Sequence, residues 1–102
     1  MTRVYIAGPV TGVDGYEQNF RDAAEKLARA GYEPVNPVAP GLVDGWEYRD
    51  YINRGLLKLM ECDAICLLDG WQHSAGAKLE ARYAKICGLK RVVLRKEDKK
   101  ND

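Results

Sequence analysis

Two short apolar runs constrain this chain more than any other feature. Val4-Tyr5-Ile6-Ala7 and Ala64-Ile65-Cys66-Leu67-Leu68 contain no charged residue at alternate positions. A strand with one face in water would show such alternation. Continuous apolar strands belong to parallel sheets covered on both faces. Parallel neighbours cannot be joined by a tight turn, so each connection must cross over through something long, usually a helix. The intervening sequence supplies helices of the right kind.

From Tyr16 to Ala30, the residues Phe20, Ala23, Ala24, Leu27 and Ala28 recur at helical spacing, and Gly31 stands where a cap belongs. A second strand is expected over Tyr32 to Val35, stopped by Asn36-Pro37. The stretch from Val38 to Gly45 reads as a loop. A second helix is expected from Trp46 to Met60, with Ile52, Leu56, Leu59 and Met60 on its inner side. The third helix opens at Ser74 and runs to about Cys87, with Gly88 as its stop, and Arg91 to Leu94 forms the last strand. The order β-α-β-α-β-α-β implies a single α/β domain over residues 1–95. Its four-stranded parallel sheet is expected in the order 2-1-3-4, doubly wound in the Rossmann or flavodoxin manner, with helices on both faces. Residues 96–102 are expected to form a charged, mobile tail.

Composition narrows the function classes. A formal charge of +1 on 102 residues argues against a nucleic-acid polymer as partner. No apolar run approaches the roughly 18 residues of a membrane span. MTRVYIAGPV lacks the apolar core of a leader peptide. Cys62, Cys66 and Cys87 have no framework spacing and are read as reduced core residues, which suits a cytoplasmic location. With His73 as the only histidine, flanked by polar residues, neither a metal nor an organic cofactor is expected.

Chemistry concentrates on the third helix. Turning roughly 100° per residue, it gathers Lys78, Arg82 and Lys85 on one narrow side and leaves Glu80 within the apolar arc opposite. A carboxylate there leaves water and needs compensation. It is a structural ion pair, a buried hydrogen bond at the sheet edge, or a reactive group tuned by desolvation. Helical side chains lean toward the N-terminus, so Glu80 points toward Gly76, whose missing side chain leaves space for a ligand. Ser74 is at the N-cap, where it either caps the helix and nothing more or contributes with Gly76 to an anion cradle. Beyond the carboxyl ends of the strands, where such sheets bind ligands, lie Gly8, Pro9, Asn36 and Asp69. Trp71 and Trp46 are either core or loop packing or, at a pocket mouth, a natural stacking surface for a base. Asp63 lies at the far end of its strand and is read as structural. The Gly-rich loop Gly8-Pro9-Val10-Thr11-Gly12 fits neither the dinucleotide fingerprint nor the P-loop.

The combination YIAGPVTG at Tyr5 to Gly12, NP at Asn36-Pro37, CDAICLLDGW at Cys62 to Trp71 and SAGAKLE at Ser74 to Glu80 resembles the nucleoside 2-deoxyribosyltransferase superfamily. More narrowly, it resembles the short deoxyribosyltransferase-like domains of bacteria and phages. The resemblance implies cleavage or transfer at the N-glycosidic bond of a deoxynucleoside or its monophosphate. Glu80 would be the nucleophile, Tyr5 would lie beside sugar and nucleophile, and Ser74 would contact a phosphate. It also implies a homo-oligomer, for which Trp46, Tyr48 and Tyr51 could supply contacts if they are not core. Relatives carry an Asp ahead of the third strand that helps the sugar hydroxyl or leaving base, and here that position is Gly55. Asp50 or Asn53 could replace it only if the helix is displaced by a turn. The alternative is therefore a nucleotide-binding or sensing module with impaired catalysis.

Overall fold

A computed structural model describes residues 1–94, and the expected tail at 96–102 lies outside the described residues. The chain runs β1 (Arg3–Ala7), α1 (Tyr16–Arg29), β2 (Glu33–Val35), α2 (Tyr48–Leu59), β3 (Ala64–Leu67), α3 (Ala75–Ile86) and β4 (Lys90–Arg91), with a single 3₁₀ turn at Trp71–His73 before α3. All strand pairs are parallel and the sheet order is β2-β1-β3-β4. This is the expected doubly wound α/β fold.

Alternation along the central strands distributes the core between the two faces. Val4 and Ile6 of β1, with Ala64 and Cys66 of β3, pack against Phe20, Ala23 and Leu27 of α1. Tyr5 and Ala7, with Ile65, face the other way and meet Leu59 of α2 and Ala77 and Ala84 of α3. Because strand side chains alternate with period two, Tyr5 must share its face with α2 and α3 once Val4 and Ile6 are given to α1. That one alternation brings the Tyr5 hydroxyl to the site described below. At the end of α1, Gly31 adopts φ 94°, and Tyr32 N–H donates to Leu27 O at 3.0 Å. A side chain at Gly31 would resist this left-handed conformation.

Four expectations need correction. The last strand pairs over Lys90–Arg91, not Arg91 to Leu94. Val92 N–H still donates to Ile65 O at 2.9 Å, and Val92 and Leu94 still pack on the α1 side, but the ladder stops there. The apolar run marks where the chain is anchored, while the paired residues are exposed and charged. The second helix starts at Tyr48 rather than Trp46, with the Asp50 carboxylate accepting the Glu47 N–H at 2.8 Å. Met60 lies outside the core at 59% exposure, and Cys87 is exposed, whereas Cys62 and Cys66 are buried. Both misplaced residues sit at helix C-termini, where the inward stripe has already rotated away from the sheet.

Candidate functional site

The site is built where β1, α2 and α3 converge. Tyr5 is 1% exposed and Glu80 is 8% exposed, and the Tyr5 hydroxyl donates to Glu80 Oε2 at 2.6 Å. Gly55 of α2 closes the pair from the side. A Cβ at that position would lie 2.6 Å from Glu80 Oε2 and 2.7 Å from the Tyr5 oxygen. The two helices therefore sandwich a tyrosine–carboxyl pair, and only glycine permits the approach of α2.

Burial pushes the Glu80 carboxyl up from the ordinary value of 4.5 to about 7, and the Tyr5 hydrogen bond partly opposes that rise. Burial and the neighbouring carboxylate together push the Tyr5 phenol well above its usual range, so it stays a donor. Among the described residues no cation pairs with Glu80. The ion-pair form of the structural reading is thereby removed, while its hydrogen-bond form is met by Tyr5. A carboxyl group that changes charge near neutral pH is suited to reactive work.

Glu80 is buried but not sealed. It lines a cavity of about 180 Å³, together with Tyr5, Gly8, Arg54, Gly55, Ser74 and Gly76, and the rings of Tyr16, Phe20, Tyr48 and Tyr51 form much of its wall. Tyr5 occupies Oε2 alone, and Oε1 accepts no hydrogen bond among the described residues. An apolar, aromatic cavity with a few convergent polar groups is the usual form of a small-molecule site.

The cavity gathers some of the expected residues and not others. Tyr5, Glu80, Gly8, Ser74 and Gly76 all line it. Ser74 acts as the α3 N-cap, its Oγ accepting the Ala77 N–H at 3.2 Å. Gly76 does not leave open ground above the carboxylate as expected. A Cβ there would lie 3.0 Å from Ile52 Cδ1, so the missing side chain admits α2 instead. Gly8 has a packing role as well, since its Cβ would meet Leu68 Cβ at 2.8 Å.

Pro9 and Asp69 belong to a separate depression with Asn19, Asp22 and Lys26, beside the α1 face of the sheet. Asn36 turns back on its own loop, Oδ1 accepting the Val38 N–H at 3.1 Å. Trp71 packs against the α2–α3 side of the core, with the Arg91 guanidinium 5.9 Å from its ring centroid. None of these four faces Glu80. Asp50 and Asn53 also lie away from the cavity, on the outer side of α2, and so neither replaces a carboxylate at Gly55. Asp63 is structural as expected, accepting the Arg3 N–H at 3.0 Å. His73 is exposed.

Arg54 is the site residue that sequence reading missed. Its guanidinium stacks over Trp46 at 4.9 Å and Tyr51 at 5.5 Å, and it lines the Glu80 cavity. The spacing of Tyr51 and Arg54, one helical turn apart, was the available signal. Among the described residues no group of three or more His, Cys, Asp or Glu side chains is placed to hold a metal ion. Nor is any described helix long and apolar enough to cross a membrane.

The tyrosine's influence on the carboxyl can be measured. Replacing Tyr5 by Phe removes the hydrogen bond that favours the ionised form, so the Glu80 midpoint should move above its wild-type position near 7. Carbon-detected NMR titration of the Glu80 carboxyl checks this. An unchanged or lower midpoint contradicts the described pairing.

Residues 2–93 match a family described as "Domain of unknown function (DUF4406)". No curated protein matches the chain. Among solved structures, the "Crystal structure of conserved protein from Enterococcus faecalis V583" is similar at 20% identity and a TM-score of 0.65. The alignment covers 96% of this chain and 65% of that one, so the present chain spans less than two thirds of that protein's length. At this identity the likeness is one of fold.

Proposed function

The chain belongs to the family described as "Domain of unknown function (DUF4406)", and we propose that it cleaves or transfers the N-glycosidic bond of a deoxynucleoside or deoxynucleoside monophosphate, with Glu80 as nucleophile. The observation that carries this reading is the buried Glu80 carboxyl, held on one oxygen by Tyr5 and lining an open aromatic cavity with no cation paired to it. The resemblance of the YIAGPVTG and SAGAKLE segments to nucleoside 2-deoxyribosyltransferases supports it independently.

In the proposed step, Oε1 of ionised Glu80 attacks the anomeric carbon as the bond to the base nitrogen breaks. The electron pair of that bond leaves with the base, which takes a proton from solvent. Tyr5 holds Oε2 and so fixes the direction of Oε1. Positive charge that develops on the sugar in such reactions favours an adjacent carboxylate. Water or a second base then displaces the glycosyl ester and returns Glu80 to its starting form. The same reading carries a nucleoside or nucleotide as partner, a homo-oligomeric assembly and a cytoplasmic location.

A second reading is favoured by Gly55. With no side chain at that point of α2, the cavity receives no proton donor there, and base departure forgoes a contribution typically worth about 10²–10⁴-fold. The chain would then bind nucleotides without turning them over. Incubation with the four deoxynucleosides and their 5′-monophosphates, with chromatography for free base, separates the two. Base release supports the enzyme. Thermal stabilisation without release supports the binding module.

A further inference from the structure

Among the described residues the cavity is lined by one cationic side chain, Arg54. Arg54 precedes Gly55 on α2 and is half-buried. Its Nη2 donates to Pro37 O and to Gly41 O, each at 3.3 Å, and its plane rests against Trp46 and Tyr51. Among the described residues no carboxylate lies within ion-pairing distance of it. A half-buried guanidinium with no carboxylate partner keeps its positive charge available to an anion that enters the cavity.

The arrangement is also preorganised. Ring stacking and two carbonyl contacts fix the guanidinium before any ligand arrives, so little freedom is lost on binding. Both carbonyl contacts use Nη2, which leaves the Nη1 hydrogens uncommitted among the described residues. Its field also reaches the active pair, favouring the ionised form of the Tyr5 phenol against the larger opposing effects of burial and Glu80.

We propose that Arg54 is a specificity-determining residue that binds an oxyanion of the ligand, so that the site takes deoxynucleoside 5′-monophosphates in preference to free deoxynucleosides. This rests on the nucleotide reading given above. Arg54 would supply the charge and Glu80 the chemistry, from different walls of one cavity. A guanidinium–phosphate contact is charge-assisted and directional, and the unphosphorylated ligand would leave it without a partner. If Arg54 were only a staple for the Pro37–Gly41 turn, the two ligand classes would bind alike.

Calorimetry with the intact protein tests this, using the four deoxynucleoside 5′-monophosphates and the matching deoxynucleosides. The expected result is monophosphate binding about 10- to 100-fold tighter in wild type, as hydrogen bonds to charged groups allow. Arg54→Met, which removes charge but keeps bulk, should bring monophosphate affinity down to that of the deoxynucleoside. Equal affinity for the two classes in wild type overturns the assignment while leaving the nucleotide reading standing, and that arm needs no variant to fold. Persistence of the preference in folded Arg54→Met also overturns it. Binding of no member of either class sinks the nucleotide reading and the assignment with it.

Discussion

Glu80→Gln is expected to abolish base release and, at pH 8, to make the protein more stable. The loss of activity follows from removing the attacking oxygen anion, and nucleophile deletions of this kind cost roughly 10³-fold or more. The gain in stability follows from the same burial that makes the carboxyl useful. In the unfolded chain the carboxyl gives up its proton near 4.5, whereas in the folded chain it keeps it until about 7. Between those values the folded state binds the extra proton, so stability falls as pH rises. The favourable contribution is complete below 4.5 and gone above about 7. At about 1.4 kcal/mol per tenfold in proton affinity, the burden at pH 8 is roughly 3 kcal/mol. Glutamine does not titrate and still offers an oxygen to the Tyr5 hydroxyl. Urea denaturation should therefore show the variant about 2–3 kcal/mol more stable at pH 8, with the difference shrinking toward pH 5. A variant destabilised equally at both pH values would mean that the buried carboxylate is structural.

Gly55→Ala is expected to lower activity strongly and to destabilise the fold. In a helix interior, alanine ordinarily stabilises by about 1 kcal/mol relative to glycine. Here its methyl group would overlap Glu80 Oε2 and the Tyr5 oxygen. Glu80 Oε2 ends a side chain that lines the cavity, but the Tyr5 ring is fully buried, so relieving the overlap costs more than the helical gain. Net stability should fall by about 1–3 kcal/mol, as overpacking of a filled core does. Nor can the 2.6 Å hydrogen bond survive the intrusion. With the carboxylate displaced, base release should fall roughly 10²-fold, as misplacement of about 1 Å can cause. Gly55→Asp should do no better, because its carboxylate would meet Glu80 before it could serve a leaving base. Kinetics and denaturation of both variants check this. Undiminished base release in Gly55→Ala would show that the Tyr5–Glu80 contact is dispensable.

The fold was legible because the strands carry it in their composition. Two uninterrupted apolar runs and three amphipathic helices admit few arrangements, and the observed strand order is among them. Glu80 was legible for a similar reason, since a single acid within an apolar helical arc stands out. Its partnership with Tyr5, 75 residues away, follows from the face that Tyr5 takes, which alternation along β1 fixes. The loop residues were harder. Sequence order locates the carboxyl edge of the sheet but not the face to which each loop turns, and so Pro9 and Asp69 fall on the α1 side. Asn36 and Trp71 are drawn away by local bonds and by packing. Arg54 escaped notice because its direction depends on two rings that position it, one of them before the helix begins. Gly55 looked like a missing catalytic group. The space it leaves is filled by the pair it accommodates.

The central claim is a covalent one, and a mass measurement tests it directly. Protein mixed with deoxynucleoside monophosphates and quenched in acid during turnover should carry a deoxyribosyl phosphate adduct, and peptide mapping should locate it on Glu80. The adduct should be absent from Glu80→Gln. Free base accumulating with no adduct on Glu80, or released as fast by Glu80→Gln as by the wild type, would contradict the account.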